Sequence, residues 1–440
     1  MSDNRTESYA SKLSRMIRIE TVSTEDQKDK SKFYRFRELL RELFPHIFSV
    51  CELEDFDGSF LMRWEGEGKG EPILFMNHHD VVEASGRWTY EPFAGVIAEG
   101  KVWGRGALDT KGGLWAMLEA ADELAERGYR PQRDIYFMST CNEECDGAGA
   151  DTISRSLKRR GVRFHLVLDE GGMILEEPMD GAKGTFAIVG IGEKGCADLK
   201  FIARSSGGHA STPGKDTPLV RLGKFMRATE RDGLFKAEIS PAVAATFAKL
   251  ASSMRGPMKF LLGHSRFFAP LLKRVIPRVS NTAGAMLKTT IAFTMAGGSE
   301  GMNVLPHEAW VIGNMRYSHH EGRQKSFRTV IRLAKKYGIE TVILNPGFDS
   351  VLSDHKSEAF RSIERAVAAV FDETVKTTPY VMTAASDSRY LSRVCPNCFR
   401  FTPFCITQAQ LDSIHGINEN VDISALAPAV EFYQYMMTEV

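Results

Sequence analysis

A chain of 440 residues exceeds the size at which a single hydrophobic core keeps growing, so two domains are expected. Its 56 basic and 56 acidic residues cancel, which argues against duplex nucleic acid or an anionic membrane as the main partner and favours a small polar substrate. The 43% apolar and 25% charged shares are those of an ordinary globular protein. No apolar run reaches the roughly 18 residues of a spanning helix, and the polar start MSDNRTESYASKL lacks the pattern of a secretion signal, which places the chain in the cytoplasm. Seven cysteines, an odd number in so long a chain, form no disulfide framework. Cys395 and Cys398 make one CxxC without a second pair, so buried thiols are expected there rather than a zinc or redox site.

Along the chain, Phe33, Phe36, Leu39, Leu40 and Leu43 recur at helical spacing, and Pro45 ends the run. Strands are expected at 59–64, 72–77, 101–103 and 134–139. Between the last two, Leu114, Met117, Leu118, Ala121 and Leu124 form the apolar stripe of a helix that Gly128 stops. Strand, helix, strand is the crossover unit of a sheet covered by helices. A helix over 148–159 leads to a buried strand at 164–170. After residue 190 the text changes: GCADLKFIARS alternates like a half-buried antiparallel strand, 219–229 reads as a helix, and 239–290 as two or more amphipathic helices. Two further strands, TTIAFTMAGG and EAWVIGNMRYS, close a small domain expected at 194–316. The helices at 321–337, 358–371 and 423–437, with strands near 340–344 and 379–382, return the chain to the first fold. The class is therefore α/β: a mixed sheet covered by helices, made of 1–193 and 317–440, with a smaller α+β domain inserted.

Five clusters carry the chemistry. Asn77-His78-His79-Asp80 follows an apolar run, and the two-residue period puts His78 and Asp80 on one side while His79 points away. Asp109 lies in a glycine-rich turn before a helix, where an N-cap is the bland reading. Glu143 and Glu144 stand side by side after a buried strand; a solvated helix start is the alternative to a cation that neutralises them. Asp169-Glu170 ends another apolar run. His415 precedes a turn, where a structural histidine is the default. Together they are hard to explain by packing, because buried charges must be paired or coordinated. The glycines at 104–113 match neither a P-loop nor a dinucleotide fingerprint.

On these residues the chain resembles the M20 family of metallopeptidases, whose members include carboxypeptidase S, aminoacylase-1, carboxypeptidase G2-like enzymes and succinyl-diaminopimelate desuccinylases. His78-His79-Asp80-Val81-Val82 resembles the family's His-x-Asp-Val-Val, and the run from Gly104 to Gly113 its Gly-Arg-Gly-x-x-Asp-x-Lys-Gly-Gly. The resemblance implies two divalent ions, zinc with cobalt or manganese as substitutes, bridged by Asp109. One would take His78 and a carboxylate of Asp169-Glu170; the other would take Glu144 and His415. It further implies that Asp80 orients His78 and that Glu143 is the general base. Gly207-Gly208-His209 resembles the motif of a lid histidine that stabilises the oxyanion, often across a dimer. Asn303, Arg316, Asp387 and Arg389 resemble residues that hold the substrate. Asn142, where an aspartate is frequent, and Cys145 depart from the pattern without removing a ligand. The long 239–290 segment leans toward the carboxypeptidase S group. The implied activity is cleavage of the amide bond of a peptide C-terminus or an N-acyl amino acid, with a deacylase or desuccinylase as the alternative and a homodimer through the lid. A binding protein that kept only the fold would have lost a ligand or the base, and none is lost.

Overall fold

The computed structural model describes residues 2–68, 70–231 and 233–440. Ile73–His78 and Ile135–Thr140 are apolar for most of their length and buried at every position. They pair in parallel from Ile73 with Ile135 to His78 with Thr140. Strands of this kind need helices on both faces. One face is covered by Ser2–Ile17, Lys111–Glu126 and Leu426–Glu439, whose apolar side chains form the largest core with Phe75, Phe137 and Leu168. On the other face Ala148–Arg159 packs through Ile153 and Leu157 against Leu74, Met76 and Met138.

The main sheet has eight strands, in the spatial order Cys51–Phe56, Ser59–Trp64, Ile135–Thr140, Ile73–His78, Leu166–Glu176, Cys398–Ile406, Thr185–Glu193 and Lys376–Met382. Cys398–Ile406, nearly the last strand made, is inserted between Leu166–Glu176 and Thr185–Glu193. Those two strands pair with each other only at Ile174–Glu176 and Thr185–Ala187. A separate three-stranded sheet joins Val96–Ala98, Lys101–Trp103 and Asn420–Asp422. It ties the region after His415 to the turn that carries Asp109, with the Gly104 N–H donating to the Glu419 carbonyl at 2.9 Å.

A second, antiparallel sheet runs in the order Thr290–Gly297, Glu308–Tyr317, Gly195–Arg204, Glu340–Phe348. Phe201, Phe225, Val311 and Val330 join it to the helices Pro218–Glu230 and Gly322–Lys336 in a core of its own. This differs from the expected division at 194–316. Strand 340–348 pairs with Gly195–Arg204 instead of returning to the first sheet, and the helix before it packs on the same layer. As a largely exposed edge strand it shows neither alternation nor a buried run. Nor does the helical segment inside 239–290 belong to the second core. Val243, Phe247, Leu250, Leu272 and Ile276 bury against Phe186 and Tyr380 at the margin of the main sheet.

Candidate metal centre

Three of the clusters are brought to one rim of the main sheet by the strands that carry them. His78 is the last residue of its strand, Glu143 and Glu144 follow Ile135–Thr140, and Asp169 and Glu170 lie within Leu166–Glu176. Asp109 comes from the turn before the helix Lys111–Glu126, and its peptide bond to Thr110 is cis. His415 arrives from the far end of the chain with a left-handed backbone, φ 60°.

Asp109 stands between two imidazoles. Its Oδ1 lies 3.0 Å from His78 Nε2, and its Oδ2 lies 3.1 Å from His415 Nε2. His415 Nε2 is also 3.1 Å from Glu144 Oε2. His78, Asp109 and Glu144 offer ligand atoms that all fall within 4.8 Å of one another. The carboxylate therefore presents one oxygen to His78 and the other to His415.

The supporting contacts are buried. Asp80 accepts the N–H groups of Glu143 and Glu144, each at 3.2 Å, and the Ser23 hydroxyl at 2.6 Å. Its carbonyl lies 2.9 Å from His78 Nδ1, with the carboxylate at 3.4 Å, so one residue fixes both the imidazole and the glutamate turn. Glu419 accepts the N–H groups of Gly106, Leu108 and Asp109 at 3.1, 2.8 and 3.0 Å, and Arg105 Nη1 at 2.8 Å. His79 points the other way, as its alternation requires. It lies among Phe33, Phe36 and Phe60 with Nδ1 2.8 Å from the Ser139 hydroxyl, and burial pushes its pKa down to about 3.

The charges of the cluster point to a cation as its partner. Burial pushes Glu143 and Glu170 well above the usual carboxylate range, Asp387 and Glu170 adding to it for Glu143, and Asp169 and Asp109 for Glu170. Burial also raises Glu144 and Asp169. Asp109 is held low against its burial by hydrogen bonds from His415 and His78. Asp109 and Glu144 hold His415 up at about 10. Crowded carboxylates of this kind are stable as anions only beside a cation. Imidazole nitrogens and carboxylate oxygens form a donor set suited to zinc and its neighbours in the first transition row, so the residues fit such an ion.

The pair Asp169-Glu170 divides its work. Asp169 is occupied on both oxygens, by the N–H groups of Glu170 at 2.9 Å and Ser388 at 2.8 Å. Among the described residues the Glu170 carboxylate accepts no hydrogen bond, and it lies in the field of Asp109 and Glu144.

Of the other expected residues, Asp387 and Arg389 adjoin the cluster. Asp387 Oδ2 accepts the Thr140 hydroxyl at 2.6 Å, and Arg389 Nη1 lies 3.6 Å from Glu143 Oε1. The Arg389 guanidinium also sits 4.9 Å above the ring of Phe348, where the second sheet ends. Arg316 lies in that sheet opposite Cys196, and its Nε donates to Asn314 at 3.0 Å. The Cys196 thiol, raised by burial, lies in the field of both Arg316 and Arg389. His209, on the short strand Gly208–His209, and Asn303, in the turn before its partner Val304–Leu305, are exposed, with His209 Nδ1 2.7 Å from the Ser211 hydroxyl. No recorded contact among the described residues joins them to the metal cluster. Cys395 and Cys398 are buried free thiols.

Ser23, Glu193 and Arg400 escaped sequence reasoning, and Glu419 was noted there only as following His415 and Gly416, with no role. Glu193 and Arg400 form a fully buried pair 3.8 Å apart, and Glu193 accepts the Ser386 N–H at 2.7 Å, which anchors the loop that carries Asp387 and Arg389. The signal for Glu419 is its place four residues past His415. Ser23 gives none.

The sequence profile of peptidase family M20/M25/M40 matches residues 74–439. The chain is 28% identical over 425 residues to the human N-fatty-acyl-amino acid synthase/hydrolase PM20D1, covering 94% of this chain and 84% of that protein. It is 29% identical over 443 residues to a probable carboxypeptidase S-like protein of Dictyostelium discoideum, covering 97% and 84%. Among solved structures it superposes on an M20 family metallo-carboxypeptidase from Sulfolobus solfataricus with a TM-score of 0.73, at 16% identity over 98% of both chains. For human carnosine dipeptidase 1 the TM-score is 0.69, at 15% identity over 99% of this chain and 96% of the other. At such identities the solved structures establish a common fold.

Proposed function

Because the chain belongs to peptidase family M20/M25/M40, whose members are metal-dependent hydrolases, we propose that it cleaves the amide bond of a small peptide at its C-terminus or of an N-acyl amino acid. The observation that carries this reading is Asp109 shared between His78 and His415, with Glu143 and Arg389 alongside. His78 and Glu170 would hold one divalent ion, His415 and Glu144 the other, and Asp109 both, with zinc favoured and cobalt or manganese as substitutes. Glu170 is favoured over Asp169 because Asp169 already accepts a hydrogen bond on each oxygen, whereas the Glu170 carboxylate accepts none among the described residues. Such ions, when bound, supply a water of lowered pKa and polarise the carbonyl to be attacked.

The chain's own residues supply the rest. Glu143 takes a proton from the attacking water and delivers it to the departing amine. Asp80 keeps that glutamate and His78 in register. Arg389, already beside Glu143, grips the substrate carboxylate, with Arg316, Asn303 and Asp387 completing the pocket. His209, on the lid, donates to the developing oxyanion once the lid meets the site, in the same chain or in a second copy. The exposed edge strand Glu340–Phe348, on which Val342, Ile343 and Leu344 are all exposed, supports a homodimer through the lid. Among the described residues no helix is long and apolar enough to cross a membrane. A cytoplasmic location is kept as part of this proposal.

The relatives in the N-fatty-acyl-amino acid group give the deacylase reading its own support. A panel of dipeptides and N-acyl amino acids, run before chelation, after it, and after zinc is returned, tests the whole. Turnover that vanishes and returns with the metal is expected. Undiminished turnover in the chelated enzyme would reject the proposal, and the preferred half of the panel decides between peptidase and deacylase.

A further inference from the structure

From Ile239 to Ser299 the sequence contains no Asp or Glu, yet it carries eight Lys or Arg. A net charge of zero over the whole chain conceals this imbalance. Within the segment, the helices Gly256–Gly263 and Ala269–Val279 each turn one side to solvent. On Ala269–Val279, Leu272 and Ile276 are buried against Phe247 and Leu250, while Leu271, Val275 and Val279 recur every fourth residue on the exposed side. Phe267 is 80% exposed, Val279 74% and Phe260 58%.

These apolar groups are contiguous. Phe260 lies against His264 with ring centres 4.6 Å apart and against Phe268 at 5.4 Å, and Phe268 meets Phe267 at 5.0 Å. One aromatic cluster thus connects the two helices and continues into the Leu271 stripe. Single exposed apolar side chains are ordinary, whereas a connected patch marks an interaction surface. Around it stand Arg255, Lys259, Arg266 and Arg274, all exposed and without a salt bridge among the described residues.

We propose that this face docks the protein reversibly on an anionic lipid bilayer, with the Phe260–Phe267 cluster and the Leu271 stripe entering the headgroup boundary and the arginines and lysines meeting lipid phosphates. Apolar and aromatic groups on one face beside basic residues, with no acid among them, are the features of a helix that lies in the interface plane. A second copy of the chain fits less well, since a two-fold contact would set this basic rim against itself. The assignment is independent of the substrate and of the metal centre.

Flotation of the full chain with vesicles of mixed phosphatidylglycerol and phosphatidylcholine, and with phosphatidylcholine alone, tests it. Binding to the anionic vesicles only, weakened by added salt, is expected. The double variants Phe267→Ser/Leu271→Ser and Arg266→Ala/Arg274→Ala should each reduce that binding on the order of tenfold. Circular dichroism and turnover of a soluble substrate should stay unchanged in both. The proposal is overturned if anionic vesicles do not retain the wild-type chain, or if both variants bind as it does. It is equally overturned if sedimentation shows an oligomer that Phe267→Ser/Leu271→Ser dissolves while vesicles capture neither form.

Discussion

Asp109 divides its two oxygens between imidazoles that lie more than three hundred residues apart in sequence, and the side chains around it have separable tasks. Glu143→Gln keeps the shape of the proposed general base but removes its basicity. Its kcat should fall about 100- to 10,000-fold, with metal content by mass spectrometry unchanged. Glu419→Ala acts on a different quantity, since it strands Arg105 and three backbone N–H groups in the interior. Breaking a buried pair of this kind costs about 3–5 kcal/mol, which urea unfolding would register. His79 offers a pH test. Its folded pKa of about 3 lies below the ordinary 6.5, so the unfolded chain binds the extra proton in that window. Its contribution to stability is therefore present above pH 6.5 and lost as pH falls toward 3. His79→Asn should be less stable at neutral pH yet show a shallower acid decline in unfolding free energy measured across that window.

At this scale His78, Glu143 and Glu144 were legible because a strand end next to an apolar run announces where a side chain must go. Asp80 was legible through alternation, and so was the opposite direction of His79. Glu419 was not, because burial of a carboxylate inside a polar turn leaves no periodicity to read. Which of Asp169 and Glu170 is free depends on the Ser388 N–H, which only the fold brings near.

Among the elements, the helix Lys111–Glu126 shows why its first turn needs glycine. A Cβ on Gly113 would meet Asn77 Oδ1 at 2.3 Å, and one on Gly112 the Ala107 carbonyl at 2.2 Å. Gly113→Ala should thus force the Asp109 turn away from the strand that ends at His78. A loss of about 1–3 kcal/mol in thermal unfolding, together with weaker metal retention on dialysis, is the expected result. Elements with a buried face were readable in this way, including the paired strands of the main sheet. Glu340–Phe348 was not assigned to its sheet, since an edge strand owes its place to backbone pairing with Gly195–Arg204 and not to a pattern of side chains. The helices within 239–290 were visible as amphipathic, but which core takes their apolar side is decided by Phe186 and Tyr380, remote in sequence.

For the molecule as a whole, the proposed metal cluster draws on residues from 78 to 415 and so would fasten the first half of the main fold to the last turns of the chain. Ligands that bind only the folded state stabilise it by about 2.7 kcal/mol when present at a hundred times their dissociation constant. Chelation should accordingly lower the unfolding midpoint as well as abolish turnover, and calorimetry before and after zinc is restored would show both the drop and its reversal. The placement of Cys398–Ile406 between two strands that precede it by about two hundred residues bears on how the protein is born. While the ribosome is still adding residues, the nascent sheet has a slot that nothing upstream can fill, and its flanking edges stay open until residues 398–406 emerge. A message cut short before that strand would therefore yield a polypeptide for chaperones and proteases rather than a weaker enzyme.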